Sequence, residues 1–292
     1  MKPGGWSQRS PLIRPLEVVA RVREILAEGG VHASGQEARW IVQAAGHLDR
    51  AHLVDDASSI GREGVAAAEA LARRRVEGEP LQYLTGVAVF RRLELAVGPG
   101  VLIPRPETEV VAAHAMARLP QDGVLVDCGT GSGAIALSIA DERSDARVLA
   151  TERSGEAFRW AAKNRDSLGL EVELISCDLL AGLPAQLRGS VDVVVSNPPY
   201  VATRERGIVE RDVIAYEPHE ALFAGERGLD VIRRLVDGAR KWLRPGGWLV
   251  LEMGVRQAAE VSAQFDAAGY REVGVHADLT GRPRIAEGRA RQ

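Results

Sequence analysis

The sequence predicts an α/β protein, an open and mostly parallel sheet with helices on both faces, preceded by a small helical bundle. Three observations carry that expectation. Beyond Gln121, short apolar runs alternate with helix-length segments, the pattern of successive strand–helix units. One of these runs, Val124-Leu125-Val126-Asp127, passes directly into the glycine-rich turn Cys128-Gly129-Thr130-Gly131-Ser132-Gly133 and then into the helical stretch 134–140. From residue 16 to 76, by contrast, apolar residues recur only at helical spacing.

Taken in order, Val18, Val22, Ile25 and Leu26 define a first helical stripe. Trp40, Ile41, Ala44 and Ala45 define a second, and Ile60, Val65, Ala68 and Leu71 a third. Gly29-Gly30 and Asp55-Asp56 break the region into a bundle, and Arg73-Arg74-Arg75 closes it as a solvated helix end suited to the dipole. Gly78-Glu79-Pro80 stops the last helix. Leu93, Leu95 and Val97 alternate with Arg92, Glu94 and Ala96, so a strand is expected there. With Gly98-Pro99-Gly100 as a turn and Val101-Leu102-Ile103 following, the segment predicts a β-hairpin with Phe90 and Tyr83 in its core. Pro104-Arg105-Pro106-Glu107-Thr108 then starts a helix, with Pro and Glu suited to its first turn. The expected division is a helical domain over 1–78, a hairpin linker over 79–106 and an α/β domain over 107–292. Within the last, strands centre on Val126, Leu149, Leu174, Val194 and Val250, with helices near Leu137, Ala161, Leu235 and Ala259. The charged stretch 203–221 reads as an irregular segment beside an active-site mouth, and 272–278 with 283–288 as a terminal hairpin.

Composition narrows the function classes. The 292 residues are 46% hydrophobic and 26% charged, ordinary values for a soluble protein large enough to bury a sizeable core. No long apolar run suggests a membrane span, and Met1-Lys2-Pro3-Gly4-Gly5 does not lead into a signal peptide. A formal charge of -3 is not that of a dedicated nucleic-acid binder, so no stable nucleic-acid partner is expected. Cys128 and Cys177 are too few and too far apart for a zinc motif or disulfide framework and read as reduced residues near the sheet. The six histidines form no ligand spacing, so no metal is expected. A reducing cytoplasm and a monomeric chain are the expectations that follow.

Chemistry concentrates at two turns. Asn197-Pro198-Pro199-Tyr200 ends the apolar run Val191-Asp192-Val193-Val194-Val195-Ser196. Asn offers an acceptor and a donor, the prolines fix the backbone, and Tyr supplies a flat face. The tetrapeptide suits a clamp for a planar NH2 group, although Asn-Pro also ends strands in ordinary turns. The glycine turn lets backbone approach a ligand, and the helix behind it offers free N–H groups to an anion. A second strand ends in Glu152, a carboxylate suited to two ribose hydroxyls. Gly129, Gly131 and Ala134 equally satisfy the dinucleotide pattern, so the glycines alone leave a nicotinamide cofactor and S-adenosylmethionine both open. The clamp favours the latter, because hydride transfer has no evident use for it.

The residues then resemble a known family. Gly78-Glu79-Pro80-Leu81, Tyr83-Leu84-Thr85-Gly86 and Leu102-Ile103-Pro104-Arg105-Pro106-Glu107-Thr108-Glu109 are similar to the linker of the HemK/PrmC peptide-chain-release-factor glutamine methyltransferases. Residues 127–133 and Asn197-Pro198-Pro199-Tyr200 are similar to its cofactor and substrate motifs. The resemblance spans nearly the whole chain. Glu107-Thr108 is unlike the ribosomal-protein glutamine methyltransferases, whose version resembles Pro-Arg-Ser-Pro.

That resemblance implies a Rossmann-like class I S-adenosyl-L-methionine-dependent methyltransferase domain, with S-adenosyl-L-homocysteine as product. It implies cofactor contacts from Asp127, Gly129, Thr130, Gly131, Ser132, Gly133, Glu152, Asp178, Leu179 and Asn197. Asn197, Pro198, Pro199 and Tyr200 would bind a substrate glutamine, with Asn197, Pro198 and Tyr200 catalytic and Tyr200 packed on the amide plane. The glutamine is that of the Gly-Gly-Gln motif of peptide chain release factors. Leu179 stands where some relatives carry an aromatic residue, and Glu152 where some carry aspartate. The alternative activity is N-methylation of an adenine or guanine amino group in nucleic acid, which would use the same clamp.

Overall fold

The computed structural model describes residues 13–49, 51–55 and 58–291. The opening residues 1–5 and Asp56 of the Asp55-Asp56 break lie outside the described residues. The chain forms two compact units, Met1–Gly86 and Val87–Gln292.

In the first unit, α1 (Pro15–Glu28), α2 (Ser34–Gly46) and α3 (Arg62–Val76) bring their apolar stripes together, with a short α4 (Leu81–Thr85) after them. Val18, Val22, Leu26, Ile41, Val42 and Ala68 are fully buried between the helices. Pro15 sits in the first turn of α1, where its missing N–H costs nothing. At the basic end of α3, Arg73 and Arg74 are exposed as expected, and Arg75 is not. Arg75 Nε donates to Glu37 Oε2 at 2.7 Å, and both side chains are largely covered. Tyr83 is buried, but in α4 of this unit rather than in the hairpin.

The second unit opens with the hairpin of β1 (Val87–Phe90) and β2 (Leu93–Ala96), paired from Val87↔Ala96 to Phe90↔Leu93. It lies one strand earlier than the glycines predicted. The turn is Arg91-Arg92, with Arg91 in the left-handed region at φ 53°. Arg91 accepts that cost because its neighbours hold it. After α5 (Pro106–Arg118), β3 (Val124–Cys128) and α6 (Ala134–Glu142), its guanidinium pairs with Glu142 on α6, and its N–H donates to Glu109 on α5 at 2.9 Å. The Gly98-Pro99-Gly100 segment is instead moulded on an aromatic ring: a Cβ on Gly98 would fall 2.6 Å from the Trp160 indole. Trp160 Nε1 donates to the Pro99 carbonyl at 3.2 Å, and Val101 and Ile103 are buried without forming a strand. Arg91→Ala should therefore lower stability by about 1–2 kcal/mol, after discounting the partly exposed ion pair. Urea unfolding monitored by circular dichroism checks this.

The remaining elements are β4 (Arg147–Glu152), α7 (Gly155–Leu168), β5 (Val172–Ser176), β6 (Val191–Ser196), α8 (Arg211–Tyr216), α9 (His219–Leu222) and α10 (Asp230–Ala239), then β7 (Leu243–Glu252), α11 (Ala258–Ala267), β8 (Arg271–Ala277) and β9 (Pro283–Arg289). Seven strands form one sheet in the order β5-β4-β3-β6-β7-β9-β8. The first five are parallel, β9 runs antiparallel to β7, and β8 pairs antiparallel with β9 as the terminal hairpin. Inner strands are buried on both faces. Leu125, Val193 and Val195 join one core cluster while Val126, Val191 and Val194 join the other. This two-sided burial is why the strands read as continuous apolar runs rather than as alternation.

The order places the site. The chain runs outward from β3 through β4 to β5, then returns to lay β6 on the other side of β3. Ligands in open α/β sheets bind in the crevice at the carboxyl ends of the strands where that order reverses. The turn after β3 and the tetrapeptide after β6 therefore become neighbours. Ser196 Oγ donates to the Cys128 carbonyl at 2.6 Å and ties them together. The stretch 203–221 is more ordered than expected. It contains a 3-10 turn at Thr203–Ile208 and the short α8 and α9, each too brief to reveal a period in sequence.

Candidate active site

A single cavity at the carboxyl ends of β3, β4 and β6 is lined by Asp127, Gly129, Thr130, Gly131, Ser132 and Glu152. Asp178, Leu179, Asn197, Pro198 and Pro199 line it too. Of the expected site residues, Gly133 and Tyr200 are not in that lining. Gly133 caps α6 at φ 89°, and a Cβ there would meet the Leu137 side chain at 2.7 Å. Gly129, at φ 70°, has nothing within 4 Å of an added Cβ, so its backbone is bare toward open space. Such a turn lets a ligand approach the main chain closely.

Two carboxylates hold the turn. Glu152 Oε2 accepts from Gly131 N–H at 2.9 Å and Oε1 from Ser154 N–H at 2.8 Å. Each carboxylate oxygen has a second lone pair, so Glu152 retains acceptors for a diol. Asp127 Oδ2 accepts from Thr130 Oγ1 at 2.6 Å and from Ala136 N–H at 3.2 Å. Its Oδ1 is buried and has no hydrogen-bond partner among the described residues. Burial pushes the Asp127 carboxyl up to about 7, against the lowering effect of Thr130 and Ala136, with Glu152 adding a small rise. Asp127 belongs to the cavity wall, but this oxygen itself exposes almost no surface. Arg234, which also lines the cavity, pairs with Asp178 at 2.5 Å, and Leu179 beside it adopts φ 51°.

Four other segments hold the Asn197–Tyr200 tetrapeptide in place. Asn197 Nδ2 donates to Thr108 Oγ1 at 3.0 Å, and Thr108 Oγ1 donates to Glu252 Oε2 at 2.6 Å. Tyr200 hydroxyl donates to Glu252 Oε1 at 3.1 Å and accepts from Arg284 Nη1 at 3.4 Å. Gln257 Nε2 donates to the Tyr200 carbonyl at 2.9 Å. Gly228, at φ 72°, packs directly beneath: a Cβ there would meet the Tyr200 carbonyl oxygen at 2.1 Å. Gly228→Ala should therefore cost about 1–2 kcal/mol in backbone strain and displace the clamp. Thermal unfolding and kcat, measured on the same preparation, should both fall.

The segment beyond the clamp is fastened to the stretch before α5. Glu217 is buried, accepts from Ile103 N–H at 3.1 Å, and pairs with Arg105. Pro218, Glu220 and Ala221 thereby reach the cavity wall. Thr108 and Glu252 were not assigned roles from sequence. Glu252 ends the apolar run of β7 at the same sheet edge as Asp127 and Asn197, and that position was the available signal. A separate cluster of His114, His276 and Glu287 lies outside the cavity lining, and Arg118 donates to both Glu287 oxygens. The Glu287 carboxylate also contacts His276 Nε2 at 2.9 Å.

The strand order and this cavity are those of a class I S-adenosylmethionine-dependent methyltransferase, a class given by the family match. The sequence matches the Methyltransferase small domain over residues 88–225 and the PrmC N-terminal domain over residues 17–86. A release factor glutamine methyltransferase of Geobacter sulfurreducens is 37% identical over 289 residues, covering 99% of this chain and 98% of that protein. One from Streptomyces coelicolor is 41% identical over 281 residues, covering 94% and 97%. The chain belongs to the release factor glutamine methyltransferase family. In fold it is similar to a methyltransferase from Pyrococcus furiosus, with a TM-score of 0.53 at 20% identity, covering 68% of this chain and 90% of that one.

Proposed function

We propose that this protein transfers the methyl group of S-adenosylmethionine to the side-chain nitrogen (N5) of the glutamine in the Gly-Gly-Gln motif of peptide chain release factors. The observation that carries the proposal is the placement of Asn197 in the same cavity as the bare glycine turn and Glu152. Family membership directs the choice of amide over base.

The residues present fit the cofactor. Asp127 would orient the glycine turn, or the ammonium of the methionine portion through water, with Gly129, Thr130, Gly131 and Ser132 beneath that portion. Glu152 would bind the ribose hydroxyls, while Asp178 and Leu179 border the adenine. The bound cofactor supplies a methyl group already activated by its sulfonium. Asn197 Oδ1 and the Pro198 carbonyl accept the two N–H groups of the substrate amide and aim its nitrogen along the sulfur–methyl bond. With the cofactor bound, the nitrogen lone pair would take up that methyl group, and S-adenosylhomocysteine would be left as product. Both acceptors favour the positive charge that develops on nitrogen, whose proton then leaves to solvent. Tyr200, held by Glu252, braces the far end of the clamp. The helical unit would grip the release factor, in the cytoplasm and from a monomeric enzyme.

The test is transfer of a labelled methyl group to release factor, DNA and RNA assayed side by side. Label in release factor alone is the expected result, and label in either nucleic acid instead would overturn the proposal.

A further inference from the structure

We infer that Thr108 and Glu252 are positioning residues for methyl transfer: they fix which way round the Asn197 carboxamide sits, so that its oxygen, not its NH2, faces the bound amide. This rests on the clamp assigned above to Asn197 and Pro198.

The argument is one of donors and acceptors. Burial raises the Glu252 carboxyl, while the hydroxyls of Thr108 and Tyr200 that donate to it and the Arg284 charge favour its ionised form, which only accepts. Glu252 is 1% exposed and Thr108 4%, so no solvent intervenes between them. Their separation of 2.6 Å is that of a hydroxyl donating to a charged oxygen. The single proton of Thr108 is thereby committed, and its oxygen has only lone pairs left. Asn197 must meet it with the NH2, at 3.0 Å. Its Oδ1 is then the atom left free to accept from a substrate NH2. With the order reversed, Asn197 would set donor against donor, and an amide held that way loses one of its two acceptors.

The same carboxylate reaches the other end of the tetrapeptide through the Tyr200 hydroxyl, at 3.1 Å. Asn197 and Tyr200, three residues apart, are therefore referenced to one buried anion at the end of the neighbouring strand. Among the described residues no basic side chain forms an ion pair with Glu252, and a buried anion without one costs stability. A packed apolar side chain would serve the core better. What the carboxylate adds is direction in a hydrogen-bond chain that ends in the cavity.

The experiment compares Thr108→Val, Thr108→Ser and Glu252→Gln with Asn197→Ala in the full-length protein acting on release factor. Thr108→Val keeps the shape and removes the hydroxyl. Its kcat should fall about tenfold, with the Kd of S-adenosylmethionine and the KM for release factor within about threefold of wild type. Thr108→Ser should restore kcat, and a Thr108→Val/Glu252→Gln double variant should be no slower than the slower single, because both cut one link. If Glu252→Gln does not fold, the Val and Ser variants at 108 decide; if Val does not fold, Thr108→Ala takes its place. Wild-type kcat in Thr108→Val beside an inactive Asn197→Ala overturns the positioning role and leaves the clamp standing. Equal loss of cofactor affinity and kcat in Thr108→Val also overturns it, as a merely structural effect. Full activity in Asn197→Ala removes the clamp itself.

Discussion

Asn197→Ala should lower kcat by about 100- to 1000-fold, the cost of deleting one preorganised polar group aimed at developing charge, while cofactor affinity changes by less than about threefold. The reason lies in the nucleophile. An amide nitrogen has its lone pair delocalised into the carbonyl, so attack requires both alignment and acceptors for its hydrogens as positive charge grows. Asn197 lines the cavity and its NH2 is committed to Thr108, leaving the oxygen for that task. Single-turnover methylation of release factor, with calorimetry for S-adenosylmethionine on the same variant, separates the two quantities. Loss of cofactor binding together with turnover would instead assign Asn197 to holding the cofactor.

Replacing Asp127 by Asn acts on the other partner. The substitution removes the charge that would orient the glycine turn or, through water, the cofactor's ammonium, and a hydrogen bond to a charged group contributes about 1.5–3 kcal/mol. Cofactor Kd should rise by roughly 10- to 100-fold. The wild-type enzyme should also show pH dependence of a definite sign. Burial first, together with Glu152, raises the Asp127 carboxyl to about 7 in the cofactor-free protein. A bound ammonium stabilises the charged form and lowers that value. Affinity is therefore fully present above about pH 7 and falls as the pH drops through it, with protons released on binding below that point. Calorimetry in buffers of different ionisation enthalpy measures the release. In Asp127→Asn both the release and the pH dependence around 7 should vanish.

How much of this was legible in the sequence depends on the distance between the residues concerned. The inner strands could be read because two-sided burial writes itself as apolar runs, and the glycine turn because φ near +70° at Gly129 favours glycine. The hairpin was displaced by one strand because Gly98-Pro99-Gly100 is the stronger turn signal, whereas Arg91-Arg92 turns only through contacts with Glu109 and Glu142. The solvated reading of Arg75 failed for the same kind of reason, since Glu37 lies on another helix. The clamp tetrapeptide announced itself, but its support did not. Thr108 and Glu252 are 144 residues apart, and no local pattern marks them as partners. The flat ring of Tyr200 reads as a platform for the substrate; the bond of its hydroxyl to Glu252 is a second contact that no local pattern marks. Local chemistry was legible, and the long-range hydrogen bonds that orient it were not.

The most direct measurement is mass spectrometric mapping of a release factor after incubation with this protein and S-adenosylmethionine. The account predicts one added methyl group, located on the side-chain nitrogen of the glutamine in the Gly-Gly-Gln motif and absent when Asn197→Ala replaces the wild type. A release factor that remains unmodified, or a methyl group found on any other residue, would contradict it.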